Sequence, residues 1–188
     1  MIDLRALRAA VFAALLLGAV MTAGDFIWEV ARVRHSMGKG IAHGVVMCLC
    51  IGAVIGFRTG RLGAGLLAGP VIGVIASGTF YLLAPLARYY AMLPAWMLFW
   101  ICFGVLQQRL QPERGAHWLV QGTVAALLSG LAFYAISGIW THPAPGGPNY
   151  PLNFASWSFA FLPGFLALFF ATRVRLPTVR DHDDPISR

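Results

Sequence analysis

The chain has 188 residues, 59% of them hydrophobic and 11% charged, with a formal net charge of +7 and a mean hydropathy of +0.72. Soluble domains carry about 25% charged residues, and the deficit here falls in long apolar blocks, too much grease for a small water-soluble fold to hide. The fourteen Lys and Arg residues sit in short clusters between those blocks rather than along one basic stripe, which argues against a nucleic-acid partner and reads as a topology signal.

Six segments are long enough to cross a bilayer at about 20 residues each, near 6–30, 38–58, 62–84, 89–108, 117–140 and 152–172. The expectation is an all-α polytopic membrane protein: one six-helix bundle over residues 1–172 and a short polar tail, 173–188.

The first segment opens like a signal peptide, with Arg5 and Arg8 before "VFAALLLGAV" and small residues in "MTAG". It lacks a clean A-x-A site, and its removal would leave five helices, so a retained helix is expected. It ends on Asp25 and Glu29, four apart and therefore stacked on one face. Gly18 and Thr22 continue that stripe and mark it as bundle-facing.

The second segment carries a small residue at every fourth position (Gly40, Gly44, Cys48, Gly52, Gly56), and the third repeats the pattern with Gly65, Gly69, Gly73 and Ser77. Lipid supplies no hydrophobic force between helices, so close backbone approach across small faces has to hold them. A tight antiparallel hairpin joined by "RTG" is expected. Pro70, Pro94 and Pro163 fall inside the third, fourth and sixth segments, where each removes a backbone hydrogen bond and favours a kink. Cys48, Cys50 and Cys102 lie in apolar segments and read as small buried hydrophobes.

Orientation follows from the basic residues. With the N-terminus cytoplasmic, Arg5, Arg8, Arg58, Arg61, Arg109, Arg114 and the four tail arginines lie inside, against Arg32, Arg34, Lys39 and Arg88 outside. That distribution favours both termini in the cytoplasm. The loop "THPAPGGPNYP" is then external and stiffened by its prolines.

On this topology Asp25, Glu29, His35 and His43 share a depth near the outer boundary. Three readings stay open. The groups anchor the interface, with Glu29 paired to Arg32. Alternatively they form a polar gate or a proton or ion relay, as in a small transporter or channel, with two carboxylates one turn apart. Or Asp25, Glu29, His35 and His43 hold a metal in a membrane metalloenzyme, although their spacing matches no ligand motif. Ser137, Trp140, Asn153 and Ser156 join Asp25, Glu29 and His43 as candidates to line the headgroup site of an apolar ligand. No Ser-His-Asp or Cys-His pattern, Walker loop or GxGxxG appears, so no cofactor is expected and a non-enzymatic role is favoured.

"LAFYAISGIWTHPAP" followed by "FASWSFAFLPGFLALFFATR" resembles the closing part of the Insig family of six-helix membrane proteins, through Tyr134, Gly138, Trp140, Ser156 and Trp157. The likeness covers about a third of the chain. The acidic residue of that family's last loop and its Asn-His region have no counterpart here. The resemblance implies a distant relative in a bacterial inner membrane, with a central cavity for a lipid or sterol-like molecule, binding rather than catalysis. Membrane lipid is the expected partner; a second copy or another membrane protein is left open.

Overall fold

The computed structural model describes residues 3–32, 37–112, 118–136 and 149–170, and no strand occurs among them. Among the described residues there are six α-helices: α1 (Leu4–Val30), α2 (Met37–Arg58), α3 (Leu62–Ala87), α4 (Met92–Leu110), α5 (Trp118–Ile136) and α6 (Tyr150–Phe169), with a 3-10 turn at Arg88–Ala91 before α4. Asp3 caps α1 by accepting hydrogen bonds from the N–H groups of Arg5 and Ala6 at 2.9 and 3.2 Å. Asn149 caps α6 by accepting from that of Leu152 at 3.1 Å. Each satisfies N–H groups the first turn leaves open. The tail 173–188 lies outside the described residues.

Five of the six helices are long and apolar enough to cross a membrane; α4 is not, which corrects the expectation of six. The reason is in its last turn. Gln107, Gln108 and Arg109 leave Met92–Leu106 as the apolar stretch, about 22 Å at 1.5 Å per residue, short of the roughly 30 Å of a hydrocarbon core. Pro94 falls in the first turn of α4, where its missing N–H has no helical partner to lose. Pro70 and Pro85 lie inside α3, Pro163 lies inside α6, and both helices continue through them.

Each helix packs on its chain neighbours, and α6 returns to pack along α1, so the six close into a ring. Within the ring α2 lies closest to α3, and α1 lies against α6 far more extensively than against α2. The α2–α3 hairpin is built as its sequence foretold. Gly60, at φ +69, ends α2 in the left-handed conformation that favours glycine. The N–H of Arg61 then donates back to the Gly56 carbonyl at 2.7 Å. Beyond the turn a Cβ on Gly69 would meet the Cys48 carbonyl oxygen at 2.5 Å, and one on Gly73 would meet that of Gly44 at 2.7 Å. Gly52 and Gly65 approach each other's backbone more closely still. Backbone-to-backbone contact of this kind admits no side chain.

The other half of the ring is held by aromatic residues. Trp96, Phe99, Trp100 and Phe103 of α4 and Phe161 and Phe165 of α6 are buried in the middle. The resemblance implied a central cavity; in the described residues this space is occupied by side chains. Trp96 stacks on Phe133 at 4.4 Å and on Phe161 at 5.5 Å between centroids, while Trp100 meets Phe165 edge-on at 5.5 Å. Their indole N–H groups still need acceptors. Both donate to Ser129 Oγ of α5 at 2.9 Å, and that hydroxyl donates to the Ala160 carbonyl of α6 at 2.6 Å. One serine thus ties three helices together.

Gly164 gives the Trp100 ring its place, since a Cβ there would enter it. Gly164→Ala is therefore expected to cost about 1–3 kcal/mol, as overpacked cores do, with a matching change in tryptophan fluorescence. Unchanged unfolding and emission would show that the ring has room to move.

Candidate functional site

The site forms where α1 ends, α2 begins and α6 begins. Asp25 projects from the penultimate turn of α1 and is partly buried. Its Oδ2 accepts two hydrogen bonds from α6, from Asn153 Nδ2 at 2.8 Å and from the Trp157 indole at 2.9 Å. Both end on the same oxygen, so Oδ1 keeps its capacity to accept. One turn on, exposed Glu29 accepts the Tyr150 hydroxyl at 2.6 Å through Oε2. Each carboxylate thus has its own donor on α6.

The third wall comes from α2. His43 lies over Gly24, where a Cβ would sit in ordinary van der Waals contact with the imidazole at 3.8 Å. Its Nδ1 accepts a long bond from the Trp28 indole at 3.4 Å, and its ring tilts against Trp157 at 5.8 Å. Lys39 Nζ stands over the Trp28 ring, 5.6 Å from the centroid, a cation–π placement. Two carboxylates, a cation, an imidazole and an amide therefore meet on a floor of indole rings. The carboxylates can accept hydrogen bonds from a polar head, while the rings offer aromatic surface to whatever carries it.

Of the residues singled out in sequence, Asp25, Glu29, His43 and Asn153 come together here. The pairing of Glu29 with Arg32 is not what the structure shows: Tyr150 takes the carboxylate. Ser156 is buried on α6, and among the described residues no hydrogen bond joins it to Asp25 or Glu29. His35, Ser137 and Trp140 lie outside the described residues. Among the described residues, no group of three or more His, Cys, Asp or Glu side chains is gathered as a metal ion requires.

Sequence reasoning missed Trp28 and Tyr150 as members of the site. Trp157 entered only through the family resemblance. Trp28 and Tyr150 lie near helix ends, where such residues are common as interfacial anchors, and Trp157 lies two turns into α6. Only the hydrogen bond each makes to a charged or ring partner sets it apart, and that pairing spans more than a hundred residues for Tyr150 and Trp157.

The interior below the site bears on what it can do. From Trp157 an unbroken chain of ring contacts runs through Trp96, Phe99, Trp100 and Phe165 to Phe169 at the other end of the bundle. This column is apolar apart from its indole N–H groups, two of which Ser129 takes up. Comparison with known protein families, with curated proteins and with solved structures finds no match for this chain.

Proposed function

We propose that this is an integral membrane protein, non-enzymatic, that binds a lipid or sterol-like amphiphile with its polar head at the Asp25 cluster. The observation that carries the reading is the Asp25 carboxylate. It is held through one oxygen by Asn153 and Trp157 while the other remains able to accept. Carboxylates recognise donors, so the head carries a hydroxyl or an ammonium group. The apolar part lies in the seam between α1 and α2, the pair of adjacent helices that packs most lightly, with its mouth at His43 and Trp28. The aromatic column fills the middle of the ring and moves the ligand out to this seam.

On this reading the protein lies in a bacterial inner membrane, and the distribution of arginines supports an orientation with this end outside and both termini cytoplasmic. The Insig resemblance supports the ligand class through Ser156 and Trp157, the latter a donor to Asp25. Transport is the weaker reading, because a path through the bundle would have to pass the packed rings.

Asp25→Asn tests it. The amide keeps the size and one acceptor but loses the charge, and about tenfold less amphiphile should be retained per protein through gentle detergent purification, the effect of one charge-assisted hydrogen bond. Extraction and mass spectrometry read the amount. Equal retention by the variant would remove Asp25 from the site. A proton or ion flux in liposomes that Asp25→Asn abolishes would replace binding with transport.

A further inference from the structure

A cation of the chain itself stands at the Asp25 cluster, and its placement narrows what the head can be. Lys39 Nζ lies over the Trp28 ring, 5.6 Å from its centroid, and both residues are half-buried. Lys39 belongs to the first turn of α2, a turn with no acidic residue. The open N–H groups of a first turn disfavour positive charge. The ammonium therefore stands against the field of its own helix, and the Trp28 face is part of what holds it there.

Trp28 lies three residues from Asp25, and Glu29 lies four, so the ring and the carboxylates share one face of α1. Asp25 Oδ2 is taken up by Asn153 and Trp157, and Glu29 Oε2 by Tyr150. The second oxygen of each carboxylate can accept a further hydrogen bond. His43 adds no positive charge, since its Nδ1 accepts from the Trp28 indole. A hydroxyl head would use one acceptor and gain nothing from the indole face. A primary ammonium uses the acceptor, the negative charge and the ring together. Lys39 has a further interaction besides the ring, so it can leave Trp28 without being stranded.

We infer, on the binding role proposed above for Asp25, that the head is a primary ammonium and that it displaces Lys39 from the Trp28 ring. Lys39 is then a built-in competitor, covering the ring while no ligand is bound.

Native mass spectrometry of the full chain in mild nonionic detergent tests this, with dodecylamine, dodecanol and phosphatidylethanolamine as probes. The amine should be retained about tenfold over the alcohol, the effect of one charge-assisted hydrogen bond. Asp25→Asn should bring the two level. Lys39→Gln removes the competitor and should raise amine retention about fivefold, the worth of one cation–π contact, with the alcohol unchanged. In a Trp28→Leu background the same substitution should give no gain, which separates the ring from charge repulsion at large. Lys39→Gln alone decides if Trp28→Leu does not fold.

Equal retention of amine and alcohol, both lost in Asp25→Asn, overturns the ammonium head and leaves the binding role of Asp25 standing. Retention of neither probe above the Asp25→Asn level ends both. Unchanged or weaker amine binding in Lys39→Gln also overturns the proposal, because Lys39 would then not compete. Phosphatidylethanolamine and dodecylamine carry the same head chemistry, and preference for either supports it. Tighter binding of the first assigns the ammonium to a phospholipid, and of the second to a simple long-chain amine.

Discussion

Gly52→Leu is expected to destabilise the protein by more than about 3 kcal/mol, beyond the usual range for overpacking, because the added side chain meets backbone that cannot turn away. A Cβ at Gly52 already enters the Gly65 carbonyl, and Gly69 Cα stands 3.1 Å off. To admit a leucine, α2 and α3 must separate along their length. In lipid no hydrophobic force compensates, since the exposed faces are as well solvated as before. What is lost is van der Waals contact along two glycine rows. Reversible unfolding in mixed micelles measures the loss. Gly78→Leu is the control, because a Cβ there meets nothing within 4 Å, and it should change stability by less than about 0.5 kcal/mol. Equal effects from the two variants would mean that the hairpin does not depend on its glycines.

Ser129→Ala is expected to cost about 2–5 kcal/mol. The change removes one oxygen, fully buried, and with it the acceptor for two indoles and the donor to the Ala160 carbonyl. Ala160 keeps the ordinary bonding of a helix carbonyl, but Trp96 and Trp100 are left with N–H groups in an apolar interior. Each such group costs about 1–3 kcal/mol. Ser129→Thr retains the hydroxyl and should recover part of the loss. The same unfolding assay applies, with indole N–H stretching frequencies as a second readout. An alanine variant as stable as the parent would show that the indoles find other acceptors.

These two expectations differ in how visible their basis is in the chain. The hairpin could be read directly, because spacing of four puts small residues on one helical face and "RTG" is too short to allow anything but an antiparallel neighbour. Ser129 carries no such mark. It is a lone hydroxyl in α5, and its importance comes from two tryptophans some thirty residues earlier and a carbonyl thirty residues later. Helix α4 departs from its expectation for a related reason. Its aromatic residues make it look like another membrane span, yet they face inward, and the glutamines and arginine of its last turn shorten its apolar length.

The cluster around Asp25 lies between these cases. A stripe through Gly18, Thr22 and Asp25 points the carboxylate at the bundle, and the topology puts His43 at a similar depth without bringing the two together. Neither could tell that α6 closes the ring against α1, which is what brings Asn153, Trp157 and Tyr150 to the carboxylates.

Photo-crosslinking tests the central claim most directly. The protein would be reconstituted in vesicles of phosphatidylethanolamine and phosphatidylglycerol doped with a photoactivatable phospholipid or sterol, irradiated, and mapped by peptide mass spectrometry. The predicted result is labelling concentrated on the last two turns of α1 and the first two of α2, around Trp28, Lys39 and His43, and strongly reduced in Asp25→Asn. Labelling spread evenly over the exposed apolar faces of the helices and unaffected by Asp25→Asn would contradict a bound amphiphile, and with it the function proposed for this cluster.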